Sequence, residues 1–246
     1  MYRAILFDLY DTVVMFHPRV PATEVAGTRW RSTMGWMTEV VARELPEVAF
    51  DDFLRAITET TAEIVRNRPP DYFEVPSRER FRRALIRLGM DGADLERKAA
   101  QLSRAHMQHL AAATELPPEH LALVQELGAH YALGLVSNFD HGPTARAVLA
   151  HHGLTPLFQS IVISDGFGRR KPHPAIFRAA LDELGVAAAD AVFVGDSAAD
   201  DVAGAHAAGI DAVWINASGA ALPDGSPPPR QTIARLVELP RVLSDG

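Results

Sequence analysis

The chain has 246 residues, a net charge of −7 and no cysteine, with 48% apolar and 22% charged residues. These values fit one large folded domain or two small ones and exclude wholesale disorder. They also exclude a disulfide framework, a thiolate metal site, a thiolate nucleophile and, with "GRRK" at Gly168–Lys171 the one basic run, a surface built for nucleic acid or anionic lipid.

In chain order, "YRAILFDLY" from Tyr2 reads as a buried strand, an apolar run closed by acidic turn residues. Only seven residues precede Asp8 and no apolar run reaches the roughly 18 residues of a membrane span, so neither a signal peptide nor a membrane segment is expected, and the expected location is cytoplasmic. Residues 17–113 lack strand-like runs and show helical spacing, as at Phe53, Leu54, Ile57, Thr61, Ile64 and Val65, which predicts an all-helical insertion. "NRPPDYFEVPS" interrupts it as a loop, and "ELPPEH" at Glu115 marks the return.

From Tyr131 onward, strand and helix alternate. "YALGLVSN", "QSIVIS", "DAVFVGDS" and "DAVWINAS" are short apolar runs ended by polar turns. Between them, "HGPTARAVLAHHG" carries Pro143 near its start and Gly153 past its end, and "HPAIFRAALDELG" carries Pro174 and Gly185 with a stripe of Ile176, Phe177, Ala180, Leu181 and Leu184. A last helix is expected to carry Ile233, Leu236 and Val237. The fold class is therefore α/β, a doubly wound parallel sheet from residues 1–16 and 114–246 with the helical insertion at 17–113.

In such sheets ligands bind beyond the carboxyl ends of the strands, and four polar clusters fall there: "DLYDT", "SNFD", "KPHP" and "GDSAADD". Together they supply carboxylates, small hydroxyl and amide donors and one ammonium, a set suited to a hard cation and an anionic substrate. Mg²⁺ takes about six oxygens, commonly one or two carboxylates with waters and substrate oxygens; Asp8 and Asp196 are candidates, and one of them is a candidate nucleophile. Ser137 and the backbone around Asn138 suit phosphate oxygens, and Lys171 suits charge balance. Lysine is rare here, only Lys98 and Lys171 among 24 basic residues, which marks position 171 as one needing a compact charge rather than a planar fork.

The clusters in this order resemble the haloacid dehalogenase superfamily, in the branch with a helical cap inserted after the first motif: "FDLYDT", "VSNFD", "RKPHP" and "VFVGDSAADDVAGAHAAG" are similar to its four motifs. The resemblance implies a Rossmann-like core, a cap that closes over the strand ends, and Asp8 as nucleophile with Thr12 orienting it. Ser137 and Asn138 would bind the anionic group and Lys171 would balance charge. Mg²⁺ would be held by Asp8, the backbone carbonyl of Tyr10, Asp196 and Asp201, with Asp201 preferred to Asp200 on the spacing to "GAHAAG". The implied partner is a small phosphorylated metabolite, hydrolysed through an aspartyl-phosphate by a monomer or homodimer.

The sequence departs from the family's phosphatases at Tyr10, where they carry the aspartate that protonates the leaving oxygen. Losing a positioned proton donor costs about 10²- to 10⁴-fold, and tyrosine, with a reference pKa near 10, is a poor base at neutral pH. Asp11 is expected to point away from Asp8 by strand alternation unless a turn intervenes. Tyr10 resembles the 2-haloacid dehalogenases, which displace halide without metal, but those carry glycine at the position of Asp11 and a small uncharged residue at that of Asp196. A dehalogenase using the same Asp8 and a weakly active or non-catalytic binding member of the superfamily are the alternatives.

Elsewhere, His106 and His109 are expected on a solvated helix face, His151 and His152 at a helix end, and Trp30, Trp36 and Met37 in the insertion's core. Arg29, Arg31 and Arg43 are candidates for reaching an anionic substrate.

Overall fold

The computed structural model describes residues 2–17, 22–25 and 28–244. They form two compact units: Met1–Phe16 with Asp71–Glu74 and Glu115–Gly246, and His17–Pro70 with Val75–Thr114. The four-residue segment Asp71–Glu74 lies inside the insertion in sequence yet belongs to the first unit.

The first unit is built on six strands, β1 (Ala4–Phe7), β2 (Ala132–Ser137), β3 (Ser160–Ile163), β4 (Ala191–Gly195), β5 (Asp211–Ile215) and β6 (Gln231–Ile233). They form one parallel sheet in the order β6-β5-β4-β1-β2-β3. Ala4 pairs with Ala132 on one side and Ala191 on the other, and every residue of β1 is buried. A sheet covered on both faces wants apolar residues at successive positions, which is why "AILF" does not alternate.

Among the helices, α1 (Thr38–Glu44), α2 (Phe50–Arg66), α3 (Ser77–Arg87) and α4 (Gly92–Ala112) belong to the insertion, and α5 (Pro118–Gly128), α6 (Gly142–His151), α7 (Pro174–Leu184) and α8 (Ala203–Ala208) to the sheet unit. The α7 stripe of Ile176, Phe177, Ala180 and Leu181 packs on Leu6, Val136 and Phe193. On the opposite face Leu133 reaches Gly128 at the end of α5. Proline opens α6 and α7, and Gly185 closes α7 in the left-handed conformation at φ 63°.

The insertion has its own core, in which Phe53, Leu54, Ala56 and Ile57 of α2 meet Phe81, Ala84 and Leu85 of α3 and Ala99 and Leu102 of α4. Thr60, not Thr61, continues the buried stripe of α2, and Val65 is exposed. The expected all-helical insertion also contains a short antiparallel hairpin, Ala22–Val25 against Thr28–Arg31. "ATEV" and "TRWR" are only four residues each, too short a run to read against the helical background. A second correction falls on Ile233, which ends β6 opposite Ile215 instead of opening a helix; the chain turns helical only at Leu239–Ser244 after a 3₁₀ turn at Leu236–Glu238. Among the described residues no helix is long and apolar enough to cross a membrane.

Candidate active site

Asp8 is the first residue beyond β1, and its N–H donates to the Val194 carbonyl at 2.9 Å, so the strand ladder fixes its backbone. Ser137 ends β2 and Asp196 follows β4. Since β1 lies between β2 and β4, the three residues gather at adjacent carboxyl ends. Lys171, three residues before α7, is 2% exposed, and its Nζ donates to Asp8 Oδ1 at 2.5 Å and lies 2.7 Å from Asp201 Oδ1.

Asp201 is delivered by a π-helical turn, Ala198–Val202, whose amides at 201 and 202 both donate to the Ser197 carbonyl, at 2.8 and 3.2 Å. The extra residue of such a turn rotates the side chains that follow. It leaves Asp200 beside Asn138 and sends Asp201 inward, where Oδ2 accepts the Ser197 N–H at 2.9 Å. A Cβ on Gly195 would overlap that carboxylate, so glycine is what lets Asp201 lie against the end of β4. The Trp214 indole N–H donates to the Asp196 carbonyl at 2.8 Å and holds the neighbouring turn.

Asn138, expected at the anion, has its side chain engaged with the Lys171 loop. Its Oδ1 accepts the Lys171 N–H at 2.7 Å, and its Nδ2 donates to the Lys171 carbonyl at 3.0 Å and to Asp200 at 3.2 Å. It thus holds the lysine's backbone from both ends.

Tyr10, Asp11 and Thr12 lie in a turn, not in the strand. Asp11 sits at φ 58°, in the left-handed region that asparagine and aspartate tolerate better than most residues. The turn breaks strand alternation; Asp11 is exposed there, near enough for its charge to act on Asp196. The Tyr10 ring stacks on Phe16 at 5.3 Å and packs on Phe139 at 4.8 Å. The hydroxyls of Tyr10, Thr12 and Ser137 are all buried without a hydrogen-bond partner among the described residues, a clustering that points to a missing polar ligand.

Burial, with the neighbouring charges of Asp201 and Asp196, raises the Asp8 carboxyl to about 7 against the pull of Lys171. Burial, Asp201 and Asp11 raise Asp196 to about 6. Burial alone would discharge Lys171, but Asp201 and Asp8 hold its ammonium above the usual lysine range. Burial and the charges of Asp8 and Asp140 push the Tyr10 phenol above its ordinary value, so it stays protonated.

One oxygen from each of Asp8, Asp196 and Asp201 lies within 4.8 Å of the others. Three carboxylates against one ammonium leave two negative charges, and the donors are all hard oxygens, so the residues fit a divalent cation of the Mg²⁺ type. The cavity they line, of about 190 Å³, also takes in Tyr10, Asn138, Arg170, Ser197 and Asp200. Arg170 was not foreseen as a site residue; beside Lys171 in an arginine-rich run, nothing in the sequence distinguishes it.

A family model described as haloacid dehalogenase-like hydrolase matches residues 2–209. The chain belongs to the haloacid dehalogenase-like hydrolases. Within that family it is 31% identical to a phosphoserine phosphatase of Thermus thermophilus, over 87% of this chain and 88% of that enzyme. It is 42% identical to a phosphoglycolate phosphatase of Rhodospirillum rubrum, over 51% of this chain and 53% of the relative. The chain spans about half the length of several curated relatives it matches, the Rhodospirillum enzyme among them. Among solved structures, the 2-haloacid dehalogenase of Pseudomonas syringae pv. Tomato superposes with a TM-score of 0.75 at 26% identity, over 100% of this chain and 99% of that one.

The remaining sequence candidates of this hydrolase lie elsewhere. His106 is not on a solvated face: it is 5% exposed, with Nε2 2.9 Å from Thr33 Oγ1. A helix side read as polar from its histidines is buried because α4 carries Leu102, Ser103 and Met107 on the same side. His109 packs on Trp36 at 6.0 Å, Met37 is buried, and His151 and His152 close α6. Arg43 pairs with Glu44 at 2.9 Å. The side chains of Arg29, Trp30 and Arg31 lie outside the described residues.

Proposed function

We propose that this hydrolase is a Mg²⁺-dependent phosphatase of small phosphorylated metabolites, working in the cytoplasm through an aspartyl-phosphate on Asp8. The observation that carries the reading is the pairing of a divalent-cation donor set, Asp8, Asp196 and Asp201, with the unpartnered hydroxyls of Ser137 and Thr12. When bound, the cation would offset charge on the carboxylates and on a phosphoryl group.

Lys171 grips one oxygen of Asp8, leaving the other to attack phosphorus. The Ser137 hydroxyl and the backbone after it donate to the phosphoryl oxygens, and the Thr12 hydroxyl, which makes no hydrogen bond to Asp8 here, is free to join them. As the bond to the leaving oxygen breaks, Tyr10 is the neutral O–H nearest in sequence to the nucleophile. Its raised pKa keeps the proton on the phenol, which makes it a weak acid for the leaving oxygen and, while protonated, no base for the later activation of water. Esters with good leaving groups therefore turn over best.

A second reading, halide displacement from a 2-haloacid, is favoured by Tyr10 and by the likeness to the Pseudomonas dehalogenase. Against it stands the acidic cluster, which repels a carboxylate substrate unless a cation is present. The deciding assay incubates the protein with an aryl phosphate, with and without Mg²⁺, and separately with 2-chloropropionate. Metal-dependent phosphate release supports the phosphatase, metal-independent halide release replaces it, and neither leaves a binding protein.

A further inference from the structure

We infer that Glu74 is a positioning residue for the Lys171 loop, a role that goes beyond the phosphatase reading and rests on it only for its kinetic readout. Segment Asp71–Glu74, from the connection between α2 and α3, runs antiparallel to Gly168–Arg170 within the sheet unit. Phe73 bridges Arg169, the Glu74 N–H donates to the Gly168 carbonyl at 3.0 Å, and the Arg170 N–H donates to the Tyr72 carbonyl at 2.9 Å. Neighbours along an extended chain face opposite sides. Phe73 and Arg169 share one face, the guanidinium 5.1 Å over the ring, and Glu74 and Arg170 share the face toward the cavity that Arg170 lines.

The Glu74 side chain is 2% exposed. Its two oxygens take Nη1 of Arg170 at 3.0 and 3.1 Å, and one also accepts the Ser164 hydroxyl at 2.5 Å. Ser164 Oγ in turn accepts the Phe139 N–H at 2.8 Å. One buried carboxylate therefore holds both loops beside Asp8: the loop of Arg170 and Lys171, and the loop in which Phe139 follows Asn138 and supports the Tyr10 ring. A buried carboxylate is stable only when paired and hydrogen-bonded; here Arg170 of the first loop supplies the pairing, and Ser164, which itself holds the second loop through Phe139, supplies a hydrogen bond. The acid is comfortable only while the loops stand where they do. Asn138 clamps the Lys171 backbone from the other side; without the Glu74 carboxylate that clamp and the backbone bonds to Tyr72 and Glu74 are left to hold the loop.

The test compares Glu74→Gln and Glu74→Ala with the parent for hydrolysis of an aryl phosphate in Mg²⁺, below the melting temperature of each, and solves the crystal structure of each variant. In E74A, kcat is expected to fall by about 10- to 100-fold, as a catalytic group misplaced by about 1 Å would dictate, with KM held within about threefold. E74Q, whose amide still accepts from Ser164, falls less. Lys171 Nζ is expected off Asp8 in E74A. A purely structural role would lower the melting temperature while leaving kcat per folded molecule unchanged, and that result overturns the inference. So does Lys171 still seated on Asp8 in E74A, whatever the rate. If E74A does not fold, an unchanged kcat with Lys171 in place in E74Q overturns it equally. A parent that releases no phosphate defeats the phosphatase reading alone, and the lysine's position then decides the role of Glu74.

Discussion

Two residues define what the site is able to do, Asp8 by its carboxylate and Tyr10 by lacking one. Asp8, held by Lys171 at 2.5 Å, is the proposed nucleophile, and Asp8→Asn keeps the shape while removing it. Turnover is expected to drop by about 10³-fold or more, read as initial rates on an aryl phosphate; an amide variant as fast as the parent sinks covalent catalysis at this position. Tyr10 sits between Phe16 and Phe139 with its hydroxyl buried and protonated. Tyr10→Asp restores an acid/base there and is expected to speed alkyl phosphates by about tenfold or more, within the range a positioned acid/base supplies. Aryl esters, which need less help in leaving, should change little. Slower alkyl turnover in Y10D would instead assign the ring a positive role.

At the scale of elements, the site depends on how closely the turn after β4 folds back on its own strand. Gly195→Ala puts a methyl group where the Asp201 carboxylate lies, and overpacking of this kind costs about 1–3 kcal/mol. The variant is expected to melt lower and to bind Mg²⁺ more weakly by calorimetry, because Asp201 is displaced from Asp8 and Asp196; unchanged binding would show that Asp201 does not belong to the cation site. The parallel sheet was legible because buried strands and capped helices leave long-lived marks in sequence: "AILF" without alternation, and Pro174 and Gly185 around the α7 stripe. The acidic run is visible in the sequence, and the π-helical turn brings Asp201, not Asp200, into the group with Asp8 and Asp196. What escaped was short or relational. The hairpin at Ala22–Arg31 has four residues a side, and Ile233 lies in a three-residue strand. Glu74 lies in a stretch read only as loop, and its role comes from Arg170 and Ser164, some 90 residues away. No local pattern encodes such a partner.

Across the whole molecule, the two units carry buried titratable groups whose linkages to pH have opposite signs. In the insertion, His106 is held neutral: burial, then the charges of Arg80 and His109, lower its pKa to about 3 from an ordinary value of 6.5. Among the described residues its Nδ1 is buried without a hydrogen-bond partner, so a proton there has nothing to receive it. The unfolded chain binds that proton more readily, so the stability this histidine confers is complete above about pH 6.5 and is lost as pH falls toward 3, at roughly 1.4 kcal/mol per pH unit. Asp8 works the other way. Its folded pKa of about 7 exceeds the ordinary value of 3.8, so in metal-free protein its contribution is complete below about pH 4 and is lost as pH rises through 7. Acid therefore loosens the insertion while relieving the sheet unit, and bulk acid sensitivity alone does not isolate either. The difference between the parent and His106→Leu does, because Asp8 is common to both. Urea unfolding in chelator from pH 8 to 5 is expected to give two curves that run parallel above pH 6.5 and converge or cross below it, the variant losing the parent's acid slope. Curves that stay parallel down to pH 5 would mean that His106 takes up its proton without unfolding the helices around it.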